Sequence, residues 1–285
     1  MNLAAKRLVT ADVYFGHGTD NAEDDALFLI LHALNLSYDV TKVVLKSELT
    51  EGQIRDIDRL ITARIETRKP SAYLTGYTWF CGHKFKTDER VLVPRSPIAE
   101  LVIKNFHPWW EGNASSRALE IGTGGGCIAI AMALNLGHLD IDATDISSDA
   151  LAVAQENAYL HSVQDRVSFY EADLFPHERH SYDLIVANPP YVPSSVYMNL
   201  PSEYHTEPVG ALLSGEDGLD CVRRILNQAP RYLKKGGLLF VEVGEIWETL
   251  HANFPALDFT WVDLQYGGEG VFVLSREQLL LGNIL

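Results

Sequence analysis

The stretch Ala118-Leu119-Glu120-Ile121-Gly122-Thr123-Gly124-Gly125-Gly126 decides the fold. It starts as an apolar strand, turns through glycines and leads directly into the apolar residues of a helix. Glycine lets a backbone turn tightly and approach a ligand closely, and the start of a helix presents free amide groups. The stretch therefore predicts a strand, a turn and a helix around the site of a nucleotide-like ligand.

The spacing of the glycines separates two kinds of cofactor loop. Counted from Gly122 and Gly124, the third glycine of a dinucleotide fingerprint would fall on Cys127, so a pyrophosphate loop fits poorly. An acid followed by three alternate glycines resembles the methyltransferase version of the loop, and a turn without any ligand is the alternative. The residues predicted to contact a cofactor here are Glu120, Gly122, Thr123, Gly124 and Gly126.

Beyond this loop, strand patterns alternate with helical patterns, which predicts a parallel sheet with right-handed crossovers. The last two strands are joined by residues 265–270 alone, too few for a crossover helix, so the final strand should run antiparallel. This is the α/β, seven-stranded, Rossmann-like pattern of the class I methyltransferase fold. The predicted strands are 118–121, 141–144, 167–171, 184–187, 238–243, 260–264 and 271–274.

The first part of the chain has a helical pattern instead. Apolar residues recur at helical spacing from Asn21 to about Lys69, with Thr50 as the N-cap of a second helix and Pro70 as its stop. Aromatic and β-branched residues around Gly82 then predict a β-hairpin linker. We expect a small helical domain over residues 1–76, a linker over 77–93 and a catalytic domain over 94–285.

Two further acids lie at strand ends on the predicted ligand edge. Asp145 ends the second strand at close to the interval, about 20 residues, at which an acid in this fold meets ribose hydroxyls. Asp173 follows the third strand, where its carboxylate could accept from an adenine amino group with Leu174 against the base. Each acid alone could instead cap a helix or loop, as Asp145 could for the helix near Ser147. Together they predict a cofactor site.

The tetrapeptide Asn188-Pro189-Pro190-Tyr191 directly follows the fourth strand. An amide or exocyclic amino nitrogen is a poor nucleophile because its lone pair is delocalised, so its methylation depends on positioning. The Asn188 oxygen and the Pro189 carbonyl can each accept one N–H of the target and thereby orient it for transfer. Tyr191 would form an aromatic wall, and successive prolines stiffen the loop. We predict Asn188, Pro189 and Tyr191 as catalytic and all four residues as substrate-binding.

Composition restricts the possible partners. The 285 residues include 23 Lys+Arg and 38 Asp+Glu, and the net charge of −15 disfavours stable binding to naked nucleic acid. A basic protein partner suits this charge better. Three scattered cysteines and ten histidines show no disulfide or ligand spacing, so no metal site is predicted. We expect a cytoplasmic protein without a secretory signal or membrane span, and the oligomeric state stays open.

Further motifs connect these features to one family. The chain resembles, over nearly its whole length, the protein-(glutamine-N5) methyltransferases, and among them the ribosomal-protein-specific branch. The residues that carry the resemblance are Pro70-Ser71-Ala72-Tyr73-Leu74-Thr75-Gly76, Pro94-Arg95-Ser96-Pro97-Ile98-Ala99-Glu100, the glycine loop, Asn188 to Tyr191, Glu207-Pro208 and Gly215-Glu216-Asp217-Gly218-Leu219-Asp220.

The resemblance implies S-adenosylmethionine as methyl donor, bound by Gly122 to Gly126, Asp145, Asp173 and Leu174 and also contacted by Asn188. It also implies that a glutamine amide is methylated and that the helical domain recognises the substrate, the third protein of the large ribosomal subunit. Enzymes that methylate release factors usually carry Pro-Arg-Pro-Asp-Thr-Glu, whereas this chain has Ser96-Pro97 after Arg95. Methylation of release factors, methylation of a nucleic-acid base, and a non-catalytic binding role are the alternatives.

Overall fold

The computed structural model describes residues 1–37, 48–113, 115–178, 180–265 and 267–282. In these ranges the strands are β1 (Tyr77–Phe80), β2 (His83–Lys86), β3 (Arg117–Ile121), β4 (Asp140–Asp145), β5 (Val167–Glu171), β6 (Tyr182–Ala187), β7 (Leu233–Glu242), β8 (Thr260–Trp261) and β9 (Val271–Ser275). The helices are α1 (Asn2–Thr10), α2 (Ala22–Ala33), α3 (Glu51–Thr67), α4 (Ser71–Thr75), α5 (Ile98–Ile103), α6 (Cys127–Asn135), α7 (Ser148–Leu160), α8 (Ser194–Tyr197), α9 (Asp220–Gln228), α10 (Trp247–Asn253) and α11 (Arg276–Leu281).

Seven strands of the described ranges form one mixed sheet in the order β5-β4-β3-β6-β7-β9-β8. The pairs from β5 to β7 are parallel, and β9 runs antiparallel to both β7 and β8. The antiparallel final strand is confirmed. Because parallel strands end at one edge, the ends of β3, β4, β5 and β6 all face the same side of the molecule.

Apolar residues cover both faces of the sheet, as a sheet buried between helices requires. In β6, Leu184 and Val186 belong to the core on the α6 side, whereas Ile185 and Ala187 belong to the core on the α9 side. The sequence of helix α6 is almost wholly apolar, which allows residues 127–133 all to be buried against the sheet and α5. This rigid middle layer fixes the position of the loops that follow β3 and β6.

The first four helices pack around a hydrophobic cluster of their own. Thr50 caps α3 as predicted, in a capping box with Gln53, and the helix ends at Arg68 in a left-handed conformation before Pro70. Helix α1 was not predicted, and residues 38–47 of the predicted helical span lie outside the described residues. Among the helices of the described ranges, none is both long and apolar enough to cross a membrane.

The hairpin and two sheet strands differ in extent from the prediction. Strands β1 and β2 pair antiparallel but end at Lys86, and residues 91–93 belong to no strand. Strand β7 starts at Leu233 instead of residue 238, because Leu233 pairs with Tyr182 ahead of an irregularity in the ladder. Strand β8 has only two residues. The domain limits predicted at residues 76 and 93 stay predictions.

Candidate active site

The glycine loop, residues 122–126, turns at the carboxyl end of β3 as predicted. Gly122, Gly124 and Gly126 have φ of 71°, 54° and 80°, a region that other residues rarely adopt. A Cβ at Gly124 would meet no atom within 4 Å, whereas one at Gly126 would lie 3.0 Å from Ala154. The loop is therefore open at Gly124, Gly126 allows α6 to pack closely on α7, and the cofactor contacts of the three glycines stay predictions.

Glu120 lies beneath this loop and is 1% exposed. Its Oε2 accepts hydrogen bonds from Thr123 Oγ1 at 2.5 Å and from Ala129 N at 2.8 Å. Burial raises the pKa of Glu120 to about 8, against the opposing effect of these two hydrogen bonds. Both side chains are buried and hold the loop to the start of α6, and the contacts of Glu120 and Thr123 with the cofactor stay predictions.

Asp145, the last residue of β4, reaches across to the same loop. Its Oδ2 accepts from Gly124 N at 2.8 Å, and its Oδ1 accepts from Ser147 N at 2.9 Å. Ser147 itself caps α7 by accepting from Ala150 N, so Asp145 is not the N-cap of that helix. Burial raises the pKa of Asp145. Each oxygen keeps a lone pair for a hydroxyl donor, and the ribose contact stays a prediction.

The partners of these two carboxylates indicate the kind of ligand that fits. A loop that binds phosphate keeps its amides free for the anion. Here Ala129 N and Gly124 N already donate to Glu120 and Asp145. An additional anion would face these carboxylates, whereas S-adenosylmethionine brings a positive sulfonium, an ammonium and ribose hydroxyls besides its own carboxylate. The residues present fit this cofactor better than a pyrophosphate.

Asp173 and Leu174 follow β5 on the same sheet edge. Asp173 is exposed, and its Oδ2 accepts from Arg224 Nη2 at 2.7 Å. Leu174 has a left-handed φ of 71°, and its carbonyl accepts from Thr144 Oγ1 at 2.6 Å. An exposed ion pair contributes only about 0–1 kcal/mol, so Asp173 can exchange Arg224 for another donor at little cost. Contact of Asp173 and Leu174 with adenine stays a prediction.

The Asn188 to Tyr191 loop lies next to the glycine loop. A Cβ built at Gly122 would have the Asn188 carbonyl oxygen as its nearest neighbour, at 3.9 Å. The half-buried Asn188 side chain and the Pro189 carbonyl have no hydrogen-bond partner among the described residues. Two free acceptors therefore lie in consecutive residues beside the open glycines, as methylation of an NH2 group would require.

Tyr191 is fixed by groups that the sequence analysis did not identify as site residues. Its hydroxyl donates to Glu242 Oε1 at 3.1 Å, and Ser96 Oγ donates to Glu242 Oε2 at 2.5 Å. Burial raises the pKa of Glu242 to about 7, although both hydrogen bonds oppose the rise. A Cβ at Gly244 would lie 2.9 Å from the Tyr191 ring, so glycine is needed there. The Tyr191 ring is therefore held by Glu242 at its hydroxyl and packs against Gly244.

The Pro94 to Glu100 motif supplies a second anchored group, Arg95. It donates two hydrogen bonds of 2.7 Å to the two oxygens of Glu207, which also accepts from Val93 N. His17 Nε2 lies 3.4 Å from Glu207 Oε2. Burial would raise the pKa of Glu207, but His17 and Arg95 outweigh it and lower the pKa to about 2. Arg95, Tyr191 and Glu242 line one open cleft of about 490 Å³.

Glu203, four residues before Glu207, contacts the helical part of the chain. Its side chain is 2% exposed, and its Oε1 accepts from Tyr14 N at 3.1 Å. The guanidinium groups of Arg64 and Arg68 lie within 3.5 Å of the same oxygen. Two buried carboxylates, Glu203 and Glu207, therefore contact residues 14–17 from the catalytic side.

Comparison with known proteins agrees with this geometry. A family model described as "Methyltransferase small domain" matches residues 99–200. Solved structures with a similar fold include a methyltransferase from Pyrococcus furiosus, with TM-score 0.50, 16% identity and coverage of 80% of this chain and 99% of that one. The hMettl16 catalytic domain in complex with MAT2A 3′UTR hairpin 6 has TM-score 0.52, 17% identity and coverage of 79% and 80%. The predicted class I methyltransferase fold is confirmed.

Much closer relatives cover nearly the whole chain, and each is named ribosomal protein uL3 glutamine methyltransferase. The relative from Xanthomonas campestris pv. campestris is 46% identical over 96% of this chain and 89% of its own length. Those from Bordetella pertussis and Neisseria gonorrhoeae are each 43% identical, over 97% and 98% of this chain and 93% and 94% of their own lengths. At this identity and coverage the recognition made from the motifs is confirmed, and the chain belongs to the family of ribosomal protein uL3 glutamine methyltransferases.

Proposed function

We propose that this protein transfers a methyl group from S-adenosylmethionine to the side-chain amide nitrogen of a glutamine in ribosomal protein uL3. The observation that carries the proposal is the similarity of 43–46% identity to relatives of that name over 96–98% of the chain. The free acceptors of Asn188 and Pro189 beside the glycine loop supply a matching chemistry.

The residues of the chain act by orientation. S-adenosylmethionine, when bound, supplies an electrophilic methyl on a sulfonium and leaves as S-adenosylhomocysteine. The Asn188 side-chain oxygen and the Pro189 carbonyl accept the two N–H bonds of the glutamine amide, which turns the nitrogen lone pair toward the donor side. Neither oxygen is basic, so the pair positions the amide, and the proton that the methylated nitrogen loses passes to solvent. The Tyr191 ring, held by Glu242, restricts the other side of the amide plane.

The charge of the protein suits the proposed substrate. A chain of net charge −15 attracts a basic ribosomal protein and repels the phosphates of free RNA. Since uL3 is made and assembled with the ribosome, the proposal also places the protein in the cytoplasm. Glutamine as the acceptor explains why the loop offers two acceptors and no charged group to the target nitrogen.

Incubation with labelled S-adenosylmethionine and, in separate reactions, purified uL3, ribosomal RNA or a release factor tests the function. Label is expected in uL3, and peptide mass spectrometry should locate one methyl group on a single glutamine. Label in RNA alone would identify a base methyltransferase, and label in the release factor alone would move the specificity to that substrate. A protein that binds S-adenosylmethionine but labels none of the three would be a binding protein.

Replacing Asp145 with alanine should weaken S-adenosylmethionine binding by about tenfold to a hundredfold, because a charged acceptor and the brace on Gly124 are both lost. Isothermal titration calorimetry measures the change. Asp140→Ala is the matched control, since Asp140 is exposed at the opposite end of the same strand. An Asp145 variant with the affinity of wild type would remove this residue from the cofactor site.

A further inference from the structure

A cavity of about 410 Å³ lies between the helical part of the chain and the hairpin, outside the residues used by the proposed mechanism. His17 lines it from the connection between α1 and α2, Phe28 from α2, Ser71 and Ala72 from α4, and Thr78 and Trp79 from β1. Four separate segments thus build its walls. The volume is many times that of one water molecule, about 30 Å³.

Polar atoms in the wall lack partners. His17 is 5% exposed and Ser71 is 3% exposed. Neither the Nδ1 atom of His17 nor the Oγ atom of Ser71 has a hydrogen-bond partner among the described residues. Burying such a group without a partner costs about 1–3 kcal/mol. Two groups in one wall indicate that the cavity receives a ligand with its own donors and acceptors.

The rest of the lining defines the chemistry of that ligand. Phe28 and Ala72 are apolar, and Trp79, which is 45% exposed, offers an aromatic surface at the rim. Of the lining side chains only His17 can carry a charge, and Glu207 lies 3.4 Å from its Nε2. The lining therefore fits an uncharged segment that combines apolar surface with amide groups, which describes a polypeptide segment with a neutral side chain.

The position of the cavity connects it to the active-site cleft. His17, which lines the cavity, and Arg95, which lines the cleft, both contact the Glu207 carboxylate. The Tyr204 ring packs against the same two side chains. The walls of the two spaces are thus joined, and a protein substrate whose glutamine enters at Tyr191 can extend along them toward the cavity.

We propose that this cavity binds an uncharged segment of the substrate protein close to the methylated glutamine, with His17 Nδ1 and Ser71 Oγ hydrogen-bonded to its backbone. The proposal rests on the proposed function, because the segment belongs to uL3. On this proposal, the residues where α4 meets the hairpin contribute to the affinity for the substrate and take no part in the chemistry at Asn188.

Steady-state kinetics with purified uL3 as the varied substrate and saturating S-adenosylmethionine test the proposal. Ala72→Leu, which fills the cavity, should raise KM for uL3 by about tenfold and leave kcat within about threefold. Trp79→Ala should raise KM in the same direction. Trp109→Ala is the matched control, because Trp109 is a similarly exposed tryptophan away from the cavity, and its KM should equal that of wild type.

The possible outcomes distinguish failure of the cavity proposal from failure of the proposed function. Thermal unfolding of each variant confirms folding, and the exposed Trp79 position serves if Ala72→Leu fails to fold. If wild type methylates uL3 and the cavity variants have the same KM as wild type, the cavity holds only water. That result would overturn the proposal and leave the function intact. A lower kcat without a change in KM would also overturn it. Absence of uL3 methylation by wild type would overturn the function and this assignment together.

Discussion

Asn188→Ala is expected to lower kcat for methyl transfer by about a thousandfold or more while S-adenosylmethionine binds within a few-fold of wild type. The variant loses the side-chain acceptor that orients the target amide, and the Pro189 carbonyl alone leaves the nitrogen free to rotate. Because the Asn188 side chain has no hydrogen-bond partner among the described residues, its removal should not disturb the fold. Single-turnover methylation and calorimetry measure the two effects.

Two further variants sharpen this experiment. Asn199→Ala removes an exposed asparagine of the following segment and should keep full activity. Asn188→Asp keeps an acceptor oxygen in place and should retain more activity than the alanine variant. Full activity of Asn188→Ala would exclude the assigned role. Equal loss in the alanine and aspartate variants would point to the carboxamide nitrogen instead of the oxygen.

Glu207→Gln is expected to lower the free energy of unfolding by about 3–5 kcal/mol, the largest effect on stability that we predict. The substitution leaves the Arg95 guanidinium without its anion and breaks a bidentate pair whose carboxylate is fully buried. Urea denaturation measures the change. Glu216→Gln, at an exposed glutamate of a neighbouring loop, should change stability by less than about 0.5 kcal/mol. Similar midpoints for both variants would contradict the prediction.

The lowered pKa of Glu207 determines how the stability of the fold depends on pH. The pKa of Glu207 is lowered to about 2 in the folded protein, from 4.5 for an ordinary glutamate. A lowered pKa means that the unfolded chain binds the proton more tightly, so the ion pair stabilises the fold above pH 4.5. This contribution is lost as the pH falls from 4.5 through 2. The difference in stability between wild type and Glu207→Gln should therefore shrink over that interval.

The fold could be predicted from the chain because its local patterns agree with the final arrangement. Local sequence determines the conformation of the glycine loop, of β6 and of the short connection before β9. The parallel direction of the central strands follows from right-handed crossovers. Where local pattern was weak, the prediction was incomplete. Helix α1 has only nine residues, and β7 extends before its apolar run because Leu233 finds a partner in Tyr182.

The site could be predicted only in part, because several of its contacts join distant residues. Ser96 and Glu242 are 146 positions apart, and nothing in either neighbourhood reveals that both hold Tyr191. The Pro94 to Glu100 motif was noticed for its resemblance to a family, and the structure adds its physical role. Glu120 lies at the glycine loop as predicted, but its hydrogen bond to Ala129 N in α6 could not be foreseen from the strand pattern.

The placement of Glu203 and Glu207 has a consequence for how this protein can evolve or be engineered. Both carboxylates belong to the catalytic part of the chain, yet Arg64 and Arg68, which pair with Glu203, and His17, which lies beside Glu207, belong to the helical part. A chimera that received a foreign helical domain without matching cations would bury Glu203 without a counter-charge and leave Glu207 paired with Arg95 alone. The segment from residue 203 to 207 must therefore be inherited or transplanted together with the helices, and the boundary of a transferable unit does not coincide with the boundary of a domain.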